Sequence, residues 1–119
     1  MRIAPWPVPL AVLLLLSAGP GCLGGSPPEI DCSTAVVPTF DQLGGLEQCS
    51  ACHSTRYEGA ARQGAPRGIN YDTYEAAEPR KTSTQGVIAD GSMPPGGAFP
   101  LTATQEEQIY TWYQCGRPR

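Results

Sequence analysis

The chain has 119 residues, with 13 Pro, 14 Gly, 5 Cys, 1 His and 2 Met. That length holds one domain and excludes a barrel, a doubly wound sheet or a multidomain enzyme. A formal net charge of −3, with 16% charged residues, lacks the basic footprint of a nucleic-acid binder; five cysteines in so short a chain point to disulfides, a metal or a cofactor tether, and to export.

Residues 1–21 read as a signal peptide. Arg2 supplies the positive start, Val8 to Leu16 is apolar, and Ser17-Ala18-Gly19-Pro20-Gly21 are small or turn-forming. The apolar run is too short to span a bilayer. Cys22, directly after the small residues, resembles the acylated cysteine of a bacterial lipobox, although Gly19 stands where Leu is usual. Lipidation there makes 22–119 the mature chain and attaches the protein to a membrane. Cleavage elsewhere leaves Cys22 an ordinary or removed thiol. Residues 22–31, with Gly24-Gly25-Ser26-Pro27-Pro28, read as a flexible, lipid-anchored linker, since Gly, Ser and Pro build no core. The folded domain is then 32–119, small enough to need staples or a cofactor.

Thr39 is placed to cap a helix from Phe40 that carries Leu43 and Leu46 on one face and runs into Cys49-Ser50-Ala51-Cys52-His53, weakened by Gly44-Gly45. Arg56 to Gly68 reads as a polar, Gly-rich loop. A short helix starts near Asn70 or Asp72 and passes through Tyr74 and Ala77 to a stop at Pro79. Thr82 to Asp90 adds one or two turns, and Gly91 to Pro100 is a loop. Thr102-Ala103-Thr104-Gln105 is a capping box opening a last helix with Ile109, Trp112 and Tyr113 as its apolar stripe, ended by Gly116 and Pro118. The class is all-α, three to four helices with long Gly/Pro-rich loops.

The chemistry sits in Cys49-x-x-Cys52-His53. C-x-x-C-H is the pattern of covalent c-type haem attachment: two thiols three residues apart on a helical turn reach the two vinyl groups of one porphyrin, and the next residue aims its imidazole at the iron. His53 is the only histidine. The one Met beyond the leader, Met93, lies 40 residues later in Gly91-Ser92-Met93-Pro94-Pro95-Gly96, a rigid loop suited to hold a thioether on the opposite face. The expectation is one haem c per chain, its iron held by His53 and Met93. A zinc site on Cys49, Cys52 and His53 lacks a convincing fourth ligand.

Cys49–His53, Gly68-Ile69-Asn70-Tyr71-Asp72-Thr73-Tyr74, Gly91–Gly96 and the Leu101-Thr102 helix with Trp112 together resemble class I cytochrome c domains, closest to the short ones of exported bacterial lipoproteins. The match covers about Thr39 to Pro118. The resemblance implies terminal helices that cross, with Phe40, Leu43 and Leu46 meeting Ile109, Trp112 and Tyr113. It implies that the Pro66 carbonyl accepts the Nδ1–H of His53, and that Ile69, Tyr71, Tyr74, Val87 and Ile88 line the haem edge. Crossing termini also make a Cys32–Cys115 disulfide plausible, with a redox-active thiol pair as the alternative.

The function so implied is an electron carrier, not an enzyme: a periplasmic monohaem cytochrome passing single electrons to a transient redox partner. It is expected to be a monomer, lipid-anchored with a weak preference for the outer membrane, and to bind no nucleic acid. Two alternatives stay open. One is a haem sensor or peroxidase-like protein with an open sixth site. The other is a haem-free, disulfide-stapled envelope lipoprotein with a structural or binding role.

Overall fold

The computed structural model describes residues 25–119. The expected signal peptide 1–21, the lipid-bearing Cys22 and the first part of the linker lie outside the described residues. Among the described residues the chain is helical and contains no strand. None of its helices is long and apolar enough to cross a membrane. The α-helices are α1 (Leu46–Ser50), α2 (Tyr74–Ala77), α3 (Lys81–Ala89) and α4 (Ala103–Gln114), joined by short 3-10 turns.

α4 is the organising element, and its start follows from local chemistry. The Thr102 side chain accepts from the Gln105 amide at 3.2 Å, and the Gln105 side chain accepts from the Thr102 amide at 2.9 Å. Two of the amides that a helix start leaves unpaired are thereby satisfied. Four turns later Gly116, at φ 107°, ends the helix in a conformation open to glycine. Ile109, Trp112 and Tyr113 are completely buried, so the 3.6-residue stripe is the centre of the core.

The N-terminal helical segment expected from Phe40 to His53 is broken in two. A 3-10 turn covers Phe40–Gln42, Leu43 is extended, and α1 begins only at Leu46. The segment lies close on α4 at the break: a Cβ on Gly45 would stand 2.7 Å from Ile109 Cδ1 and 3.3 Å from Gln105 Cβ, so a larger residue there makes the Ile109 side chain or the backbone shift. Gly44 is tied to the same helix: its amide donates to Gln108 Oε1, and its carbonyl accepts from the Gln105 side chain. Side chains of this segment nevertheless reach α4. Phe40 packs on Trp112 with centroids 5.9 Å apart, and Leu43 and Leu46 are buried in one cluster with Ile109, Trp112 and Tyr113.

α2 stops at Ala77, just before Pro79, as expected. The 3-10 turn Glu78–Arg80 holds the proline, and the nine-residue α3 starts directly after it. Proline is tolerated there because the first turn of a helix has no use for its missing N–H. α3 packs on α4 through three buried hydroxyls. Tyr113 Oη donates to the Ala77 carbonyl at 2.7 Å, and Thr84 Oγ1 lies 3.3 Å from Tyr113 Oη and 2.9 Å from Tyr71 Oη.

The Cys32–Cys115 disulfide is present, with Cα atoms 5.4 Å apart. Beside it, Gln114 holds the end of the expected linker: the Ile30 amide donates to its Oε1 and its Nε2 donates to the Pro28 carbonyl, each at 2.9 Å. Both ends of the domain are thus fixed to the same turn of α4.

Candidate functional site

α1 ends one turn before the cysteine–histidine motif is complete. The His53 amide still donates to the Cys49 carbonyl at 2.9 Å, so Cys49 to His53 close as a last helical turn. Behind it the chain is clamped. The Tyr71 amide donates to the His53 carbonyl at 2.9 Å. Asp72 accepts from the Ser54 hydroxyl at 2.8 Å, the Thr55 hydroxyl at 2.7 Å and the Thr55 amide at 3.0 Å. Partial burial pushes the Asp72 carboxyl up, but the bonds from Thr55 and Ser54 outweigh it and hold the carboxyl below its ordinary range.

In front of the turn lies a cavity of about 350 Å³, within the range of small-molecule sites. Cys49, Cys52 and His53 border it on one side, Ala65, Pro66 and Ile69 on a second, and Thr84, Val87 and Ile88 of α3 on a third. Met93, Pro94, Ala98, Phe99 and Leu101 complete the wall. Met93 and Phe99 are 37% and 47% exposed and form its rim. The lining is predominantly apolar, and it brings together side chains 40 residues apart, His53 and Met93. Tyr71 also borders the cavity, its ring edge-on to the His53 imidazole at 5.7 Å.

Three polar groups give the cavity its chemistry. His53 is buried, and its Nδ1 lies 3.0 Å from the Ile69 carbonyl. A carbonyl only accepts, so Nδ1 carries the hydrogen and Nε2 is left with its lone pair when the ring is neutral. Gln48 Oε1 is a buried acceptor without a partner, and Gln48 lines the cavity. Burial pushes the Cys49 thiol up to about 11, so it is a protonated sulfhydryl at neutral pH, facing the Gly45 carbonyl at 3.8 Å.

Several expected site residues stand elsewhere or act differently. The carbonyl that meets His53 is that of Ile69. The Pro66 carbonyl is occupied by the Ile69 amide at 3.1 Å and by Arg62 at 2.5 Å, although Pro66 still lines the cavity. Tyr74 is not at the cavity; it lies across the core, edge-on to Phe40 and Trp112, with its hydroxyl on the Arg117 carbonyl at 3.0 Å.

The expected cofactor, a haem c with its iron, is corrected. Among the described residues no group of three or more His, Cys, Asp or Glu side chains comes together to hold a metal ion. The groups are engaged with backbone instead: the Cys49 thiol turns back to the Gly45 carbonyl of its own helix at 3.8 Å, and His53 Nδ1 lies on the Ile69 carbonyl at 3.0 Å.

A second hollow, of about 370 Å³, lies beyond Tyr71 and is bordered by Asp41, Glu47, Arg56 and Asp72. It contains none of the sulfur or imidazole groups, and Asp72 is already committed to Ser54 and Thr55.

Two residues take their place at the site only in the structure. Arg62 sits in a stretch that reads as a polar surface loop, yet it is 3% exposed. Gln48 is one polar residue among several on a short helix. Comparison with family models, with curated proteins and with solved structures finds no match.

Proposed function

We propose that this chain is an exported single-electron carrier of the cytochrome c-like kind, with electrons entering and leaving at the cavity that Cys49, Cys52, His53 and Met93 border. One observation carries the reading. The two motifs that the sequence singles out, Cys49–His53 and the Met93-Pro94-Pro95 loop, border the same apolar cavity although His53 and Met93 are 40 residues apart in the chain. A low-dielectric cavity with a few convergent polar groups suits a buried redox group, whose potential is set by burial and hydrogen bonding. The partner is a second redox protein meeting the exposed rim at Met93 and Phe99, and the leader with Cys22 delivers the domain to the envelope as a lipid-anchored monomer.

The experiment is an intact mass under denaturing conditions and a visible spectrum, both on full-length protein produced in an exporting host. The expected result is visible absorption that changes reversibly on taking up one electron per chain. Cys49→Ser with Cys52→Ser, which alters the cavity wall, removes or shifts that signal. Colourless protein of plain polypeptide mass refutes the proposal.

A second reading is favoured by the Cys32–Cys115 bond. A disulfide-stapled envelope protein uses the same apolar cavity to bind a small apolar molecule, and that refuting result supports it.

A further inference from the structure

The most unusual residue near the cavity is Arg62. It is 3% exposed, and none of the ion pairs among the described residues involves it. Its charge is met instead by oxygens of a single stretch of chain. Nε donates to the Ala65 carbonyl at 3.0 Å, and Nη1 donates to the carbonyls of Ser54 at 2.6 Å and Tyr57 at 3.3 Å. Nη2 reaches the Pro66 carbonyl at 2.5 Å, the Ile69 carbonyl at 3.0 Å and Asn70 Oδ1 at 3.0 Å. A buried cation without a carboxylate is costly unless dipoles replace its water, and here every donor of the planar fork has an oxygen.

Where those oxygens lie is the informative part. Ser54 follows His53 directly, and Ile69 supplies the carbonyl on His53 Nδ1. The guanidinium therefore holds the residue after the imidazole with one nitrogen and the acceptor of that imidazole with the other. The Ile69 carbonyl receives two donors, His53 Nδ1–H and Arg62 Nη2–H, each at 3.0 Å.

We infer that Arg62 is a positioning residue for His53: by bridging the Ser54 and Ile69 carbonyls it sets the hydrogen bond that keeps the proton on Nδ1 and the Nε2 lone pair free on the cavity side. The inference rests on the proposed use of that cavity for its functional meaning, but its geometry does not depend on what the cavity holds. The sequence does not reveal these partners of Arg62, because all but Asn70 Oδ1 are backbone atoms. Lysine is not an equivalent there. It has three donors on a point charge, without the planar fork that spans both sides of the loop.

His53 is the sole histidine, so the full chain exported from a host fed 15N-histidine shows one imidazole by NMR. The expected wild-type result is a single Nδ1–H signal in slow exchange with water. In folded Arg62→Lys that signal is lost to exchange about tenfold faster or more, the factor that one hydrogen bond of ordinary net strength represents. Arg62→Met, which removes every donor, shows the same loss. Near-UV circular dichroism and the melting temperature establish that each variant is folded, and a structural role alone lowers the melting temperature without exposing Nδ1–H. A protected Nδ1–H in either folded variant overturns the inference. Failure of both variants to fold overturns it too, because Arg62 is then a residue of the fold rather than of the imidazole. Nδ1–H is read whether or not a group sits in the cavity. Colourless protein with the expected exchange behaviour therefore sinks the proposed function alone, and chromophoric protein with an indifferent Nδ1–H sinks this inference alone.

Discussion

Removing the Cys32–Cys115 bond tests how so small a domain is held together. The perturbation is Cys32→Ser with Cys115→Ser in the full chain. The bond joins positions 83 apart. Treated as chain entropy, a cross-link of that span removes about 15 cal/mol/K from the unfolded ensemble, about 4.5 kcal/mol at 25 °C. Native contacts change little, because Gln114 still holds Pro28 and Ile30 and the core stripe of α4 is untouched. The loss therefore acts almost wholly through the unfolded state. Set against a typical total of ~5–15 kcal/mol for a domain, it takes a large share of the stability. At ~4–8 °C per kcal/mol for this size, the melting temperature falls by roughly 20–35 °C. Urea titration by far-UV circular dichroism measures the change in free energy and in slope. Neither cysteine borders the cavity, so the variant held cold retains whatever the cavity binds. A loss under about 1 kcal/mol with an unchanged slope refutes the entropic reasoning, since the expected effect is several times larger.

Three smaller changes probe the elements that place the site. Gly45→Ala drives a methyl onto Ile109 Cδ1; an overpacking cost of about 1–3 kcal/mol is expected by chemical denaturation, with the chain between Phe40 and α1 displaced. Thr102→Ala removes the cap on Gln105 and lowers stability by about 1 kcal/mol, read as a shifted urea midpoint at constant slope. Asp72→Asn tests pH dependence. Its carboxyl is held below the ordinary value in the folded state, so it adds stability above the unfolded value near ~4 that drains away as pH falls through the lower folded one. The variant accordingly loses stability at pH 7 and shows a flatter decline in the acid range, measured by thermal melts from pH 7 to 2.

Legibility in the sequence followed whether a signal was local. The capping box at Thr102 and Gln105, the buried stripe Ile109-Trp112-Tyr113 and the glycine stop at Gly116 were readable because each is a short-range pattern whose physics is complete within one or two turns. The break at Gly44-Gly45 was read only as weakness in one helix. What lies close against it is α4, 60 residues away, which no local pattern contains. The stop of α2 before Pro79 was readable too, since a proline cannot continue a helix; the 3-10 turn that carries the chain straight into α3 was not. At the site, Cys49, Cys52, His53 and Met93 stood out by residue type and spacing, and all four border the cavity. The resemblance implies Tyr74 beside Tyr71 at the cavity edge, but the start of α2 turns it to the opposite side, against Trp112.

Residue types and short spacings by themselves determined the helical class, the placement of α4 and the grouping of sulfur and imidazole on one turn, because helix capping, periodicity and turn chemistry act within a few residues. The tertiary structure alone decided which carbonyl His53 meets, that Arg62 is interior, and that the Met93 loop folds over the same hollow as the cysteines. Those outcomes depend on backbone oxygens and on surfaces distant in the chain, and an amino-acid letter carries no record of where its own carbonyl will point.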